Sequence, residues 1–265
     1  MKQICNDLVW ERQNLDGLVI DLAPSGWEIV TLCDGWTIKD EISHLAYFDH
    51  KARLAVTDPR AFFRHLSEDM GKIKDMAEVN GITLSKGRAM TIDKLLNWWR
   101  SEHLMLIDTL LALSPKTRLP WYGPPMSALS FATARLMETW AHGQDIYDAL
   151  RQKRPVSPGL EHIAHAGVST FSWSFSNRGI TVPETLVFIE LTTRFGDVWT
   201  WGDAAALEKV SGPAEDFCLV VTQRRHVDDT ALSITGDTAR QWMEVAQAFA
   251  GPPDSGPPAG TFPGA

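Results

Sequence analysis

Cysteine is scarce in this chain: Cys5, Cys33 and Cys218 are the only three among 265 residues, far apart and odd in number. That argues against a disulfide framework and against a cysteine-based zinc site, and it predicts a reducing, cytoplasmic setting. Basic charge is also short, with 25 Lys and Arg against 33 Asp and Glu, a formal net charge of -8 and no Lys/Arg cluster. Nucleic-acid and anionic-membrane binders carry a basic field, so neither partner is expected. No uncharged apolar run reaches the roughly 18 residues of a membrane span. Helical stretches such as 98–113 are interrupted by Arg100, Glu102 and Asp108. The N-terminus lacks a continuous apolar stretch after Lys2, so no secretory signal is expected. What remains is 44% hydrophobic and 22% charged residues, the make-up of a folded globular protein long enough for two units.

From residue 2 to about 150, apolar residues recur at three- and four-residue spacing between short Gly, Pro, Ser or Asp breaks, which predicts four or five helices. The expected spans are 3–22, 37–56, 59–79, 91–113 and 127–151. Thr37-Ile38-Lys39-Asp40 resembles a capping box with Asp in place of Glu, Pro59 suits a first helical turn, and Thr91 is a candidate cap. Short connections between long amphipathic helices favour an antiparallel bundle. After Lys153-Arg154-Pro155 the pattern changes. A helix is expected over 159–175 and a linker over 177–183. Val187, Ile189 and Leu191 then alternate with more polar residues, and with 198–201 they predict a hairpin turning at Phe195-Gly196-Asp197. A helix over 213–223, a strand over 231–235 and a closing helix over 238–250 complete the reading. The expected fold is mainly α: a bundle over 1–155, a helical connection and linker over 156–182, and a small α+β domain over 183–250. The last 15 residues hold four Gly and five Pro, so 251–265 is expected to be a disordered tail.

The sharpest local feature is Glu138-Thr139-Trp140-Ala141-His142 in the fifth helix. A spacing of four puts the carboxylate and imidazole on one helical face, where they can grip one ion, and Asp145 extends that stripe. Alone, such a pair is more often a solvated i,i+4 contact. His44 on the second helix offers a third donor, although between Ile42 and Leu45 it also suits a core histidine bonded to Asp40. Asp40 has a local role as a cap; were His44 a ligand, Asp40 is the candidate to orient its ring. Two imidazoles and one carboxylate suit a borderline divalent ion such as zinc and leave positions open for water or substrate.

These residues carry a family resemblance. The segment from Gly35 to Asp49 resembles the W-T-x-x-D-x-x-x-H-L-A-x-x-D signature of actinobacterial metal-binding proteins related to mycothiol-dependent maleylpyruvate isomerase, which share a DinB-like four-helix bundle. The segment from Met137 to Ile146 looks like the family's second motif, E-x-x-x-H-G-x-D. The resemblance implies a divalent metal, most often zinc, held by His44, Glu138 and His142. Nickel, iron and manganese stay open, because such ligands constrain the occupant loosely. Gly212 to Phe217, Arg224-Arg225 and Ser233 to Asp237 are similar to the isomerase's C-terminal domain, which contributes an arginine near the metal; of the two arginines here, Arg224 is favoured.

The implied activity is isomerisation or S-transfer on a small, anionic substrate with a mycothiol-like thiol as cosubstrate. A metal-water hydratase or hydrolase, and a non-catalytic metal- or small-molecule-binding module, are the alternatives. His162 and His165 form a second i,i+3 pair without an evident third donor. His103 reads as a core residue, Cys33 as a structural thiol with no adjacent base, and Trp36, Trp121 and Tyr122 as lining for a pocket mouth.

Overall fold

The computed structural model describes residues 1–33, 35–70 and 76–262. The chain divides into two units, Met1–Arg154 and Pro155–Ala265.

In the first unit the helices are α1 (Lys2–Val19), α2 (Ile38–Thr57), α3 (Pro59–Met70), α4 (Met76–Arg88), α5 (Ile92–Leu111) and α6 (Ala128–Ala149). Two short strands, β1 (Arg118–Leu119) and β2 (Met126–Ser127), pair antiparallel ahead of α6. The long helices α1, α2, α5 and α6 make the bundle, with α1 and α2 each packing on both α5 and α6. Side-chain caps start three of them. Thr37 Oγ1 accepts the Asp40 N–H at 3.3 Å and the Asp40 carboxylate accepts the Thr37 N–H at 3.2 Å, the reciprocal box expected. Thr91 and Ser127 cap α5 and α6 by accepting the N–H groups of Lys94 and Ser130.

The expected helix over 59–79 ends at Met70 in α3, and a separate α4 runs on to Arg88; residues 71–75 of that expectation lie outside the described residues. Where α4 crosses α2, Gly87 has no Cβ because one would run into the Ser43 side chain.

The apolar core of the bundle falls into two clusters. One takes Leu45 and Ala46 from α2, Leu95 and Trp99 from α5 and Ile146 from α6. The other takes Ala52 and Ala55, Leu106 and Leu110, and Phe131 and Leu136 from the same helices. The turns between these sets carry Asp49, His103 and His142. The bundle therefore has a polar layer between two hydrophobic ones, and buried polar groups in such a layer must find partners. Asp49 does, accepting from Arg135 Nε and Nη2 at 3.1 and 3.0 Å and contacting His103 Nδ1 at 3.2 Å.

In the second unit, α7 (Leu160–Ser169) and α8 (Phe171–Ser176) precede a four-stranded sheet. Its strands are β3 (Val187–Thr192), β4 (Val198–Trp201), β5 (Glu208–Pro213) and β6 (Ser233–Thr235), in the order β4-β3-β5-β6. β3 is antiparallel to β4 and parallel to β5, and β5 is antiparallel to β6. Helix α9 (Ala214–Val221) follows β5, and α10 (Asp237–Val245) follows β6. The segment expected to be a connection differs: α7 packs on α9 and α8 on α10, so both belong to this unit. The tail differs as well. Its described part, 251–262, folds back on this unit, where the Asp229 carboxylate accepts the N–H groups of Gly260 (2.7 Å) and Phe262 (3.1 Å). The Arg225 guanidinium lies 3.6 Å from the Phe262 ring centroid. A segment too poor in apolar residues to fold alone is held by hydrogen bonds and a cation–π contact.

Among the described residues, no helix is long and apolar enough to cross a membrane.

Candidate metal centre

Helices α2 and α6 bring three donor atoms together. Glu138 Oε2 lies 3.4 Å from His44 Nε2 and 3.4 Å from His142 Nε2, and one ligand atom from each of the three residues lies within 4.8 Å of the others. A spacing of 3.4 Å is long for a hydrogen bond. It is close to the roughly 3.3–3.4 Å edge of a tetrahedron whose corners stand about 2.0–2.1 Å from a central zinc ion. The donor set, two imidazole nitrogens and a carboxylate oxygen, fits a divalent cation. The Glu138 side chain is 25% exposed against 13% and 9% for the two histidines, so solvent meets the cluster on the Glu138 side.

Aromatic rings fix the imidazoles. Trp36 stacks on His142 with ring centroids 5.8 Å apart and lies 5.0 Å from the His44 ring, which also neighbours His142 at 4.3 Å and Phe48 at 4.6 Å. Phe48 continues into Trp121 and Tyr122, which with Phe62 form one aromatic cluster beside the centre. The loop residues Trp121 and Tyr122 thus reach the site's edge through Phe48.

Behind His142 sits a residue that the sequence reading missed. Glu41 is fully buried and accepts the Nδ1–H of His142 at 2.7 Å, while its other oxygen accepts from Thr31 Oγ1 at 2.6 Å. This acceptor fixes the tautomer that leaves Nε2 as the donor facing Glu138, and it raises the basicity of the ring. Its sequence signal was placement: Glu41 falls among Ile38, Ile42 and Leu45 on the core face of α2. Asp145 Oδ2 lies 3.7 Å from the same Nδ1.

Asp40 is engaged elsewhere. Its carboxylate accepts from Arg88 Nε and Nη2 at 2.7 and 3.0 Å as well as from the Thr37 N–H, a correction to the expectation that it orients His44. The cap consumes the oxygens, and among the described residues the buried Nδ1 of His44 has no hydrogen-bond partner. Cys33 is also corrected: an imidazole is beside it, since its thiol sulfur and a ring nitrogen of His142 lie within 4.8 Å of each other. His103 is a fully buried core histidine held by Asp49, as expected. His165 contacts Trp201 Nε1 at 3.3 Å, and the His162–His165 pair is in neither of the converging donor groups among the described residues. Arg224, half-buried in the second unit, donates from Nη1 to the Thr222 carbonyl.

Burial dominates the electrostatics. It pushes the His44 pKa down from 6.5 to about 4, aided by the charge of His142, so this ring is neutral at pH 7 and its nitrogen lone pair is available. Burial alone would raise Glu138, but the His142 and His44 imidazoles beside it outweigh that and hold the carboxyl well below its usual range. For His142, burial is outweighed by the bonds to Cys33, Glu138 and Glu41, and the ring is raised well above 6.5. The cluster thus sets an anionic Glu138 carboxylate beside a neutral His44 ring.

Fold and site together define a helical-bundle protein with a His–carboxylate–His centre and a small α+β second unit. Residues 9–147 match the family described as mycothiol maleylpyruvate isomerase N-terminal domain, and the chain belongs to that family. Two uncharacterised proteins of Mycobacterium tuberculosis, from strains CDC 1551 / Oshkosh and ATCC 25618 / H37Rv, are each 41% identical to it over 250 residues, 94% of this chain and 96% of theirs. Among solved structures, mycothiol-dependent maleylpyruvate isomerase and a point mutant of it share the fold, each with a TM-score of 0.58 at 15% identity over 88% of this chain and 92% of that one.

Proposed function

We propose that this protein is an enzyme that holds a divalent cation, most readily zinc, on His44 Nε2, Glu138 Oε2 and His142 Nε2. It uses a low-molecular-weight, mycothiol-like thiol to isomerise a small anionic substrate or to form an S-linked adduct with it. The carrying observation is the equal 3.4 Å spacing of Glu138 Oε2 from the two imidazole nitrogens, with Glu41 fixing one ring from behind. A cation bound there supplies a Lewis acid that keeps an incoming thiol as its thiolate at neutral pH.

The chain's own groups do the rest. Glu41 accepts the Nδ1 proton of His142 and so aims its Nε2; Trp36 and Phe48 wall the imidazoles from water. The open side at Glu138 is where thiol and substrate enter. In an isomerisation, the thiol sulfur adds to an activated double bond, the adduct turns about the resulting single bond, and elimination returns the thiol unchanged. Arg224 is the candidate guanidinium for an anionic substrate, on the similarity of the segment around it to the isomerase's C-terminal domain.

The test is turnover of small unsaturated mono- and dicarboxylates by the metal-loaded protein with and without added thiol. Thiol-dependent turnover that Arg224→Ala weakens, with metal content unchanged, is the expected result. Turnover independent of thiol would transfer the assignment to a metal-water hydratase or hydrolase, and metal binding without turnover to a binding module.

A further inference from the structure

The Nδ1 side of His142 carries more ligand chemistry than one ring-orienting bond uses. Glu41 Oε2 stands 2.7 Å and Asp145 Oδ2 3.7 Å from this nitrogen, and Cys33 Sγ belongs to the same converging donor group. One ligand atom from each of Cys33, Glu41, His142 and Asp145 lies within 4.8 Å of all the others. Glu41, His142 and Asp145 are buried and Cys33 is half-buried. Four ligands arranged tetrahedrally at about 2.0–2.3 Å from an ion stand about 3.3–3.8 Å apart. The Asp145 spacing already meets that figure, and the Glu41 contact reaches it by opening roughly 1 Å.

The cluster is also braced. Trp36 N–H donates to the Cys33 carbonyl at 2.8 Å, and Thr31 Oγ1 lies 3.1 Å from the Trp36 carbonyl and 2.6 Å from Glu41 Oε1, so one hydroxyl ties the Cys33 turn to Glu41.

We propose that Cys33 Sγ, Glu41, Asp145 and the Nδ1 of His142 form a second cation site, selective for thiophilic divalent ions such as zinc, cobalt or cadmium. The His142 ring then bridges two cations. Filling the site breaks the Nδ1–H bond of His142 and the S–H bond of Cys33, releases both protons to solvent, and forms metal–nitrogen and metal–sulfur bonds in their place; no electron is transferred. Because these protons must leave, the site fills after the centre at His44. The proposal shares His142 with that centre and does not depend on the thiol chemistry. A sulfur-containing donor set favours softer ions, whereas the outer set of nitrogen and oxygen donors does not discriminate in that way.

Titration of the metal-free, full-length protein with cobalt(II), followed by elemental analysis and absorption, tests this. Two equivalents are expected, with a near-ultraviolet thiolate-to-cobalt charge-transfer band rising only with the second. Cys33→Ser should remove the band and weaken the second equivalent at least tenfold while keeping the first; Asp145→Asn should weaken the second with the band retained at saturation. His44→Ala should lose the bandless equivalent and keep the other. Wild-type saturation at one equivalent without a thiolate band overturns the proposal, as does Cys33→Ser binding two equivalents with wild-type affinity. Wild-type protein that binds only the banded equivalent leaves this set standing and marks the centre at His44 as the one that fails.

Discussion

Replacing Glu41 probes the support of the centre without touching a donor that faces Glu138. The native carboxylate is fully buried, accepts the His142 Nδ1–H at 2.7 Å and is braced by Thr31 at 2.6 Å. Glu41→Gln preserves shape and both contacts, with the amide oxygen towards His142 and the amide NH₂ towards Thr31, and removes only charge. A hydrogen bond to a charged group contributes about 1.5–3 kcal/mol. Losing an acceptor behind a ligating histidine typically weakens metal binding by about 10–100-fold, which is about 1.4–2.7 kcal/mol. The two figures agree. The first equivalent of zinc should therefore bind about tenfold more weakly in Glu41→Gln and about 100-fold more weakly in Glu41→Ala, as measured by competition with a chromophoric chelator. The thermal midpoint of metal-free Glu41→Gln is expected to move little, which separates an effect on the ring from loss of fold. Wild-type zinc affinity in Glu41→Ala would refute the reasoning.

Asp49 supplies a second test, because it is fully buried between Arg135 and His103. Arg135→Met should cost about 3–5 kcal/mol in urea unfolding because it strands that carboxylate, and adding Asp49→Asn should recover part of the loss. Glu102 gives a pH signature: burial would raise its pKa, but bonds from His50 and Arg53 outweigh it and bring it from 4.5 down to about 2. A carboxyl depressed on folding stabilises the native state above pH 4.5, and that contribution is lost as pH falls from about 4.5 towards 2. Glu102→Gln should accordingly flatten the midpoint-against-pH curve over that window; an unchanged acid limb would count against the pairing.

The bundle was legible because its signals are local. Apolar spacing located the long helices, and Thr37, Thr91 and Ser127 marked starts that side-chain caps now explain. The convergence of His44, Glu138 and His142 was legible for a related reason: Glu138 and His142 declare a shared helical face, and the segment around His44 carries a recognisable pattern. Strand β5 was not, although it is a central strand pairing with both β3 and β6. Its residues Glu208-Lys209-Val210-Ser211-Gly212-Pro213 include only one fully buried apolar side chain, Val210, so the period of two never forms in the sequence. Glu208 serves instead at the start of α10, accepting the Ala239 N–H at 2.8 Å. Partners set by tertiary contact were hidden in the same way. Neighbouring acids Asp40 and Glu41 look equivalent in sequence, yet helical rotation turns one to Arg88 and the cap and the other to His142. The nearness of Cys33 to His142 depends on a turn folding back across more than 100 positions of chain.

Metal content decides the central claim. Purified wild-type protein, dialysed against metal-free buffer, is expected to retain about one tightly held divalent ion per chain at the N/O centre. His44→Ala, Glu138→Gln and His142→Ala, each shown to be folded by circular dichroism, should each lose it. Unchanged metal content in those three variants would contradict the account.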